Sequence, residues 1–194
     1  FDEATRGFSI RFEAELDMRM NQKSALTAKK IVNEYDSKAL IKMFKDYAEI
    51  HNATKLVGLI CEARSDKRIS TTNDLKEIIR TCTPKFEEHK YLAKVFQALR
   101  IEVNQEMEAL KECLTQAVEV LAEKGRLVVI SYHSLEDRMV KNIIKTGNIE
   151  GKEEKDIIYG TSKKIFKNLS SKPIIPDEGE IKINTRARSA KLRV

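Results

Sequence analysis

Between Leu92 and Leu121 apolar residues recur at Leu92, Val95, Leu99, Val103, Met107, Leu110, Leu114, Val118 and Leu121, in steps of three and four. That spacing lays one buried stripe along a long helix, or along two nearly collinear ones. Gly125 then predicts the stop. An apolar, β-branched-rich run, Leu127 to Ile130, follows at once and reads as a strand buried on both faces. It ends abruptly in Ser131-Tyr132-His133-Ser134, where Ser134 and Asp137 form an S-x-x-D capping box that opens another helix with Ser134 as its N-cap. Helix, strand, helix is the grammar of a parallel sheet, so the chain reads as α/β.

The flanking regions predict different things. Residues 1–24 carry neither helical nor strand periodicity and read as ordered loop. From about Ala25 to Glu88 the pattern is helical, with Leu40, Met43, Phe44 and Tyr47, then Leu56, Leu59, Ile60 and Ala63, at three- and four-residue spacing. Thr71 or Thr72 predicts a further N-cap, with Asp74 in the first turn facing the positive end of the helix dipole. Gly147 to Gly179 is polar, lysine-rich and interrupted by Pro173 and Pro176, which suggests a long mobile connection. Short strands are expected near Ile181 to Ile183 and Ala190 to Val194, as a terminal hairpin.

Composition narrows the class. Hydrophobic residues make up 41% and charged residues 34%, with seven Gly and three Pro, which is globular and helix-leaning rather than disordered. No apolar run approaches the length of a membrane span, and the start does not resemble a signal peptide. Cys61, Cys82 and Cys113 form no C-x-x-C pair, so reduced cytosolic thiols are expected rather than a zinc site or disulfides, with Cys113 a small core residue. The net charge of +6 favours a polyanionic partner. It is concentrated at the end, where "NTRARSAKLRV" carries Arg186, Arg188, Lys191 and Arg193 without an acid; a solvated basic tail is the plainer reading.

Two groups of residues could carry chemistry. In open α/β sheets ligands bind beyond the carboxyl ends of the strands, which is where Ser131, Tyr132, His133 and Ser134 fall. A planar aromatic there can stack on a nucleobase, and an imidazole or hydroxyl can bond its edge; alternatively Ser134 caps, Tyr132 fills core and His133 is a satisfied polar residue. Gln97, Arg100 and Asn104 share one helix face at i, i+3 and i+7, suiting a phosphate or base edge, or simply solvent. Asp17, Glu136 and Asp137 have no metal-ligand spacing with His51, His89 and His133, and Asp17, flanked by Arg11 and Arg19, suggests a structural ion pair. No G-x-G-x-x-G or P-loop occurs.

Taken together, "FDEATRGFSIRFEAELDMRM", "VFQALRIEVNQE", "GRLVVISYHSLEDRMVK" and "NTRARSAKLRV" closely resemble, in order, the bacterial small-subunit ribosomal RNA cytosine-N4 methyltransferase family. The resemblance implies a partial Rossmann-like methyltransferase sheet with a helical inserted domain. Residues 127–130 would be the fifth strand and the terminal strands the sixth and seventh. Residues 1–24 would be a loop packing on the catalytic domain, residues 25–88 the substrate-recognition domain, and residues 89–194 the C-terminal part of the methyltransferase domain. It implies S-adenosylmethionine as methyl donor, with its binding residues mainly upstream of Phe1, so a fragment covering the C-terminal two-thirds of the family is expected. Such a fragment should be inactive alone and self-associate through an exposed strand edge. Ser131, Tyr132 and His133 would form the target pocket. Arg100, Asn104, Ser134, Arg186 and Arg188 would bind substrate, namely small-subunit ribosomal RNA or an assembling small subunit in the cytoplasm. A non-catalytic RNA- or ribosome-binding module is the alternative.

Overall fold

Side-chain caps set the starts of the first helices. Thr27 accepts from the Lys30 N–H at 3.2 Å and opens α1 (Ala28–Glu34). Asp36 accepts from Ala39 N–H at 2.9 Å and opens α2 (Ser37–Ala48). α3 (Ala53–Asp66) follows, and α4 (Thr72–Arg80) starts in a full capping box in which Thr71 and Asp74 satisfy each other's backbone N–H groups. The predicted cap is therefore Thr71. The computed structural model describes residues 4–152 and 165–194, and the chain divides into two units, Phe1–Glu106 and Met107–Val194. Residues 153–164 of the expected lysine-rich connection, and the first three residues of the first motif, lie outside the described residues.

In the first unit α1 to α4 and α5 (Glu88–Asn104) close around Phe44, Leu40, Leu56, Ile60, Leu75, Ile79 and Leu99, all without exposed surface. Each such side chain contributes about 1.5–3 kcal/mol. Residues 4–24 hold the short 3-10 turn Ala4–Arg6 and otherwise irregular backbone, which hydrogen bonds thread into the helices. Leu16 N–H donates to Ser70 O at 3.0 Å and Thr72 N–H to Ala14 O at 2.9 Å, which drives Leu16 and Met18 fully into the core. Gly7 makes this crossing possible: its φ is +73°, and a Cβ there would stand 2.3 Å from Glu15 O.

The long stripe is split. Gln105 takes a left-handed conformation (φ 50°) that ends α5, and α6 (Glu106–Val120) begins on the next residue. α6 ends five residues before Gly125, which therefore is not its cap. Cys113 is exposed rather than core, because α6 buries the Leu114 side instead.

The second unit packs α6 and α7 (Ser134–Thr146) around Leu114, Val140, Ile143 and Ile144. The strand expected at 127–130 is β1 (Val129–Ser131), and it is covered on one face only. Leu127 and Val129 pack on that core, whereas Val128 and Ile130 are 53% and 54% exposed. Parallel pairing is not found among the described residues: β2 (Lys191–Arg193) runs antiparallel to β1, in register Val129↔Arg193, Ile130↔Leu192 and Ser131↔Lys191. The terminal hairpin is also overturned, since Ile181–Ile183 lies in a short helix, α8 (Glu178–Ile183). Asp177 caps that helix by accepting from Glu180 N–H at 2.8 Å. An isolated I-x-I pair does not outweigh a side-chain cap and its first turn. The extended partner of β2 on its other side is Ile174, bridged to Leu192. The result is a mixed α/β chain, mostly helical, with a small two-stranded sheet.

Candidate functional site

The end of β1 turns directly into α7, and the turn is organised by one carboxylate. Glu136 Oε2 accepts from Tyr132 N–H at 2.7 Å and from His133 N–H at 3.2 Å, while His133 Nδ1 accepts from Glu136 N–H at 3.4 Å. His133, not Ser134, is thus the N-cap, and the capping box is His133 with Glu136. Ser134 occupies the first helical position and is exposed. Burial raises the proton affinity of Glu136, but hydrogen bonding with His133 and the Tyr132 N–H outweighs it, and its pKa lies below the ordinary glutamate value. The carboxylate stays charged as a clamp on the turn. His133 Nε2 is buried and stands 3.3 Å from Glu136 Oε1, outside hydrogen-bonding alignment.

The residues of the turn divide by direction. Ser131 is 3% exposed, and its hydroxyl donates to Lys191 O across the sheet at 3.4 Å. Tyr132 is 55% exposed, which places its phenol at the surface rather than in the core. Asp137, behind the turn, accepts from Arg193 Nε at 2.6 Å and from Lys191 Nζ at 3.3 Å. The Arg193 hydrogen bond holds the Asp137 carboxyl below its usual range, with Lys191 adding to it against the effect of burial. Lys191 and Arg193 of the basic tail are therefore tied to an acid. Arg186 and Arg188 lie on the short 3-10 turn Thr185–Ser189 and are exposed.

Arg100 and Asn104 belong to the first unit. Both guanidinium nitrogens on one edge of Arg100 grip Glu106, at 2.8 and 2.9 Å. Asn104 donates to Met18 O and Arg100 O, each at 2.8 Å, and accepts from Met20 N–H at 2.7 Å, so its carboxamide braces residues 18–20. Asp17 pairs with Arg19, whose Nε and second terminal nitrogen reach the two carboxylate oxygens at 2.8 and 2.7 Å. The Arg19 hydrogen bond lowers the Asp17 pKa. The sequence weighs Glu136 only as a metal ligand, whereas its role is to cap the turn, for which H-x-x-E one position before S-x-x-D is the signal. Among the described residues no group of His, Cys, Asp and Glu is placed to hold a metal ion, and no helix is long and apolar enough to cross a membrane.

Comparison with known proteins bears on the whole chain. It is 55% identical over 194 residues to the ribosomal RNA small subunit methyltransferase H of Bacteroides thetaiotaomicron, covering 100% of this chain and 64% of that protein. It is 53% identical over 194 residues to the protein of the same name from Flavobacterium johnsoniae, again covering 100% of this chain and 64% of the relative. The chain thus spans just under two-thirds of the length of these relatives. The MraW methylase family matches residues 1–194 without a break, and the chain belongs to that family.

Proposed function

We propose that the complete protein transfers a methyl group from S-adenosylmethionine to the exocyclic N4 of a cytidine in small-subunit ribosomal RNA. The observation that carries this is the family match along all 194 residues, with relatives named for small-subunit ribosomal RNA methylation. In this reading residues 25–88 recognise RNA, residues 1–24 pack beside the transfer site, and residues 89–194 belong to the methyltransferase domain. The strand Val129–Ser131 is the fifth of its sheet, and the protein works in the cytoplasm on the RNA or on an assembling subunit.

The described residues do not fit the methyl donor. They offer no glycine-rich turn at a strand end, and the carboxylates beside β1, Glu136 and Asp137, are committed to the turn and to Arg193. The residues of this chain act on the RNA. Tyr132 stacks on a base, while Ser131 and His133 hold the turn that presents it. Ser134 sits at the exposed start of α7, and Arg186 and Arg188 neutralise phosphates. Holding the exocyclic amine in one fixed orientation supplies much of the rate.

The test incubates the complete protein with small-subunit ribosomal RNA and methyl-labelled donor, then digests the RNA to nucleosides. The expected product is N4-methylcytidine, reduced about fivefold or more in the Tyr132→Ala variant, as the ordinary worth of a base–aromatic contact requires. RNA binding without methylated cytidine overturns the catalytic reading and is what a non-catalytic RNA-binding module gives. Calorimetric titration with S-adenosylmethionine of the 194-residue chain beside the complete protein separates the donor site, with binding expected only to the latter.

A further inference from the structure

A cavity of about 350 Å³ opens in the first unit between the loop around residues 8–11 and α5, with Phe8, Ser9 and Arg11 on one wall and Phe96, Gln97 and Arg100 on the other. Its size falls at the lower end of small-molecule sites, enough for a base and its sugar. Phe96 is buried to 4% exposure and forms an apolar floor; Phe8 is half-buried, with the Arg6 guanidinium 5.4 Å from its ring centre. The two aromatics give the cavity an apolar floor and an apolar wall, and Arg6 stands over the Phe8 ring.

The polar groups on its walls are differently committed. Gln97 donates through Nε2 to Tyr47 O at 3.4 Å. A carbonyl can accept only from the NH₂ end, so this contact settles which way the carboxamide faces, and Oε1 accepts nothing from a described residue. The Arg100 charge is matched by Glu106 at 2.8 Å, so it walls the cavity without adding net charge. Arg11 is exposed, and its guanidinium meets no carboxylate among the described residues; its backbone N–H is held by Ser9 Oγ at 3.2 Å. An apolar floor, one acceptor and one cation at the rim are the complement of the flat apolar body of a base, an exocyclic amine and a phosphate.

We infer that this cavity seats one unstacked nucleotide of a single-stranded stretch of the RNA substrate, with Gln97 Oε1 accepting from the base and Arg11 meeting the adjoining phosphate. The inference rests on the RNA substrate proposed above and names a place where it is held. It also carries a base preference. Cytosine turns an amine toward an acceptor, whereas uracil flanks its single N–H with two carbonyls that repel Oε1, so an amine-bearing base is favoured.

The test uses the complete protein with short cytidine-rich and uridine-rich single-stranded RNAs, read by fluorescence anisotropy across a salt series, and with the methylation assay. Arg11→Gln should weaken binding of both RNAs to a similar extent and reduce the log–log salt slope by about 0.7, the share of one phosphate. It should raise KM for RNA more than it lowers kcat. Gln97→Met, which keeps the volume and removes the acceptor, should cut the preference for the cytidine-rich RNA about tenfold. Because Arg11 is exposed, the melting temperature of its variant should match the parent, so a folding defect in the Gln97 variant still leaves Arg11 to decide. Unchanged salt slope and KM in Arg11→Gln overturn the inference, as does failure of the parent to bind either RNA. The two readings fail separately: a parent that binds RNA with these variant effects but methylates none overturns the transferase reading alone. A parent that methylates with both variants unaltered overturns only this site.

Discussion

Helices α1 to α5 and the unit of α6, α7, β1 and β2 bury their apolar side chains in different ways. The first closes on itself around Phe44, Leu56, Ile60, Ile79 and Leu99, with the N-terminal loop threaded through as a further layer. The second, among its described residues, fully buries few large side chains: Leu114, Val140, Ile143 and Ile144. It leaves Val128, Ile130 and Tyr132, alternate positions on one face of the strand, more than half exposed. Its sheet is held to α7 by Leu127 and Val129 on that small core and by a charged contact, Asp137 with Arg193 and Lys191. The contrast separates stability dominated by packing from stability shared between a small core and an ionic contact.

The sharpest way to break that contrast is at Phe44. Phe44→Ala should cost about 3–5 kcal/mol in urea denaturation followed by helical circular dichroism. A loss below about 1 kcal/mol would show that the first unit is not organised around this core. Arg193→Ala comes next, at about 2 kcal/mol, because it leaves Asp137, with a side chain 12% exposed, facing only Lys191. Its pH signature sharpens the comparison. The folded Asp137 pKa is depressed by Arg193, so the stabilisation is present above the unfolded value near ~4 and is lost as pH falls through the lower folded value. The protection factor of the Leu192 amide, its exchange divided into the intrinsic rate at each pH, should therefore fall in acid in the parent and depend less on pH in Arg193→Ala; equal pH dependence would remove the ion pair from the account. The smallest effect on stability is expected at Ile130→Lys, within about 0.5 kcal/mol, since that side chain is already half in water. Sedimentation should nevertheless show self-association of the 194-residue chain at high concentration and its loss in this variant, because the substitution charges the exposed face. A monomeric parent would mean that the bare strand face is not a pairing surface.

Several features were legible because their chemistry is local. The Thr71 and Asp74 box is a three-residue relation, and the i, i+3, i+4 stripes of α2, α3 and α5 need only helical geometry to find one face. The turn after β1 was legible in place but not in detail. Capping preference selects Ser134, whereas His133 does the capping because Glu136 reaches back to two N–H groups at once. Asn104 shared a plausible binding face with Arg100, yet its carboxamide is spent on Met18 and Met20, more than eighty residues away in sequence. Spacing along one helix carries no information about such a partner. For the same reason Arg11 did not stand out as part of a cavity, because the wall facing it is α5.

Residue order along the chain settles the helical character of residues 25–104, the strand-to-helix turn at Ser131 to Ser134 and the family, since these rest on neighbours within a few positions or on motifs. Which face of β1 meets a core, that β2 pairs with it antiparallel, and which polar side chains are left to meet a ligand are settled only when distant segments pack. Hydrogen bonds and buried charges are satisfied by whatever the fold brings within about 3 Å, and that proximity is a property of three-dimensional contact rather than of sequence spacing.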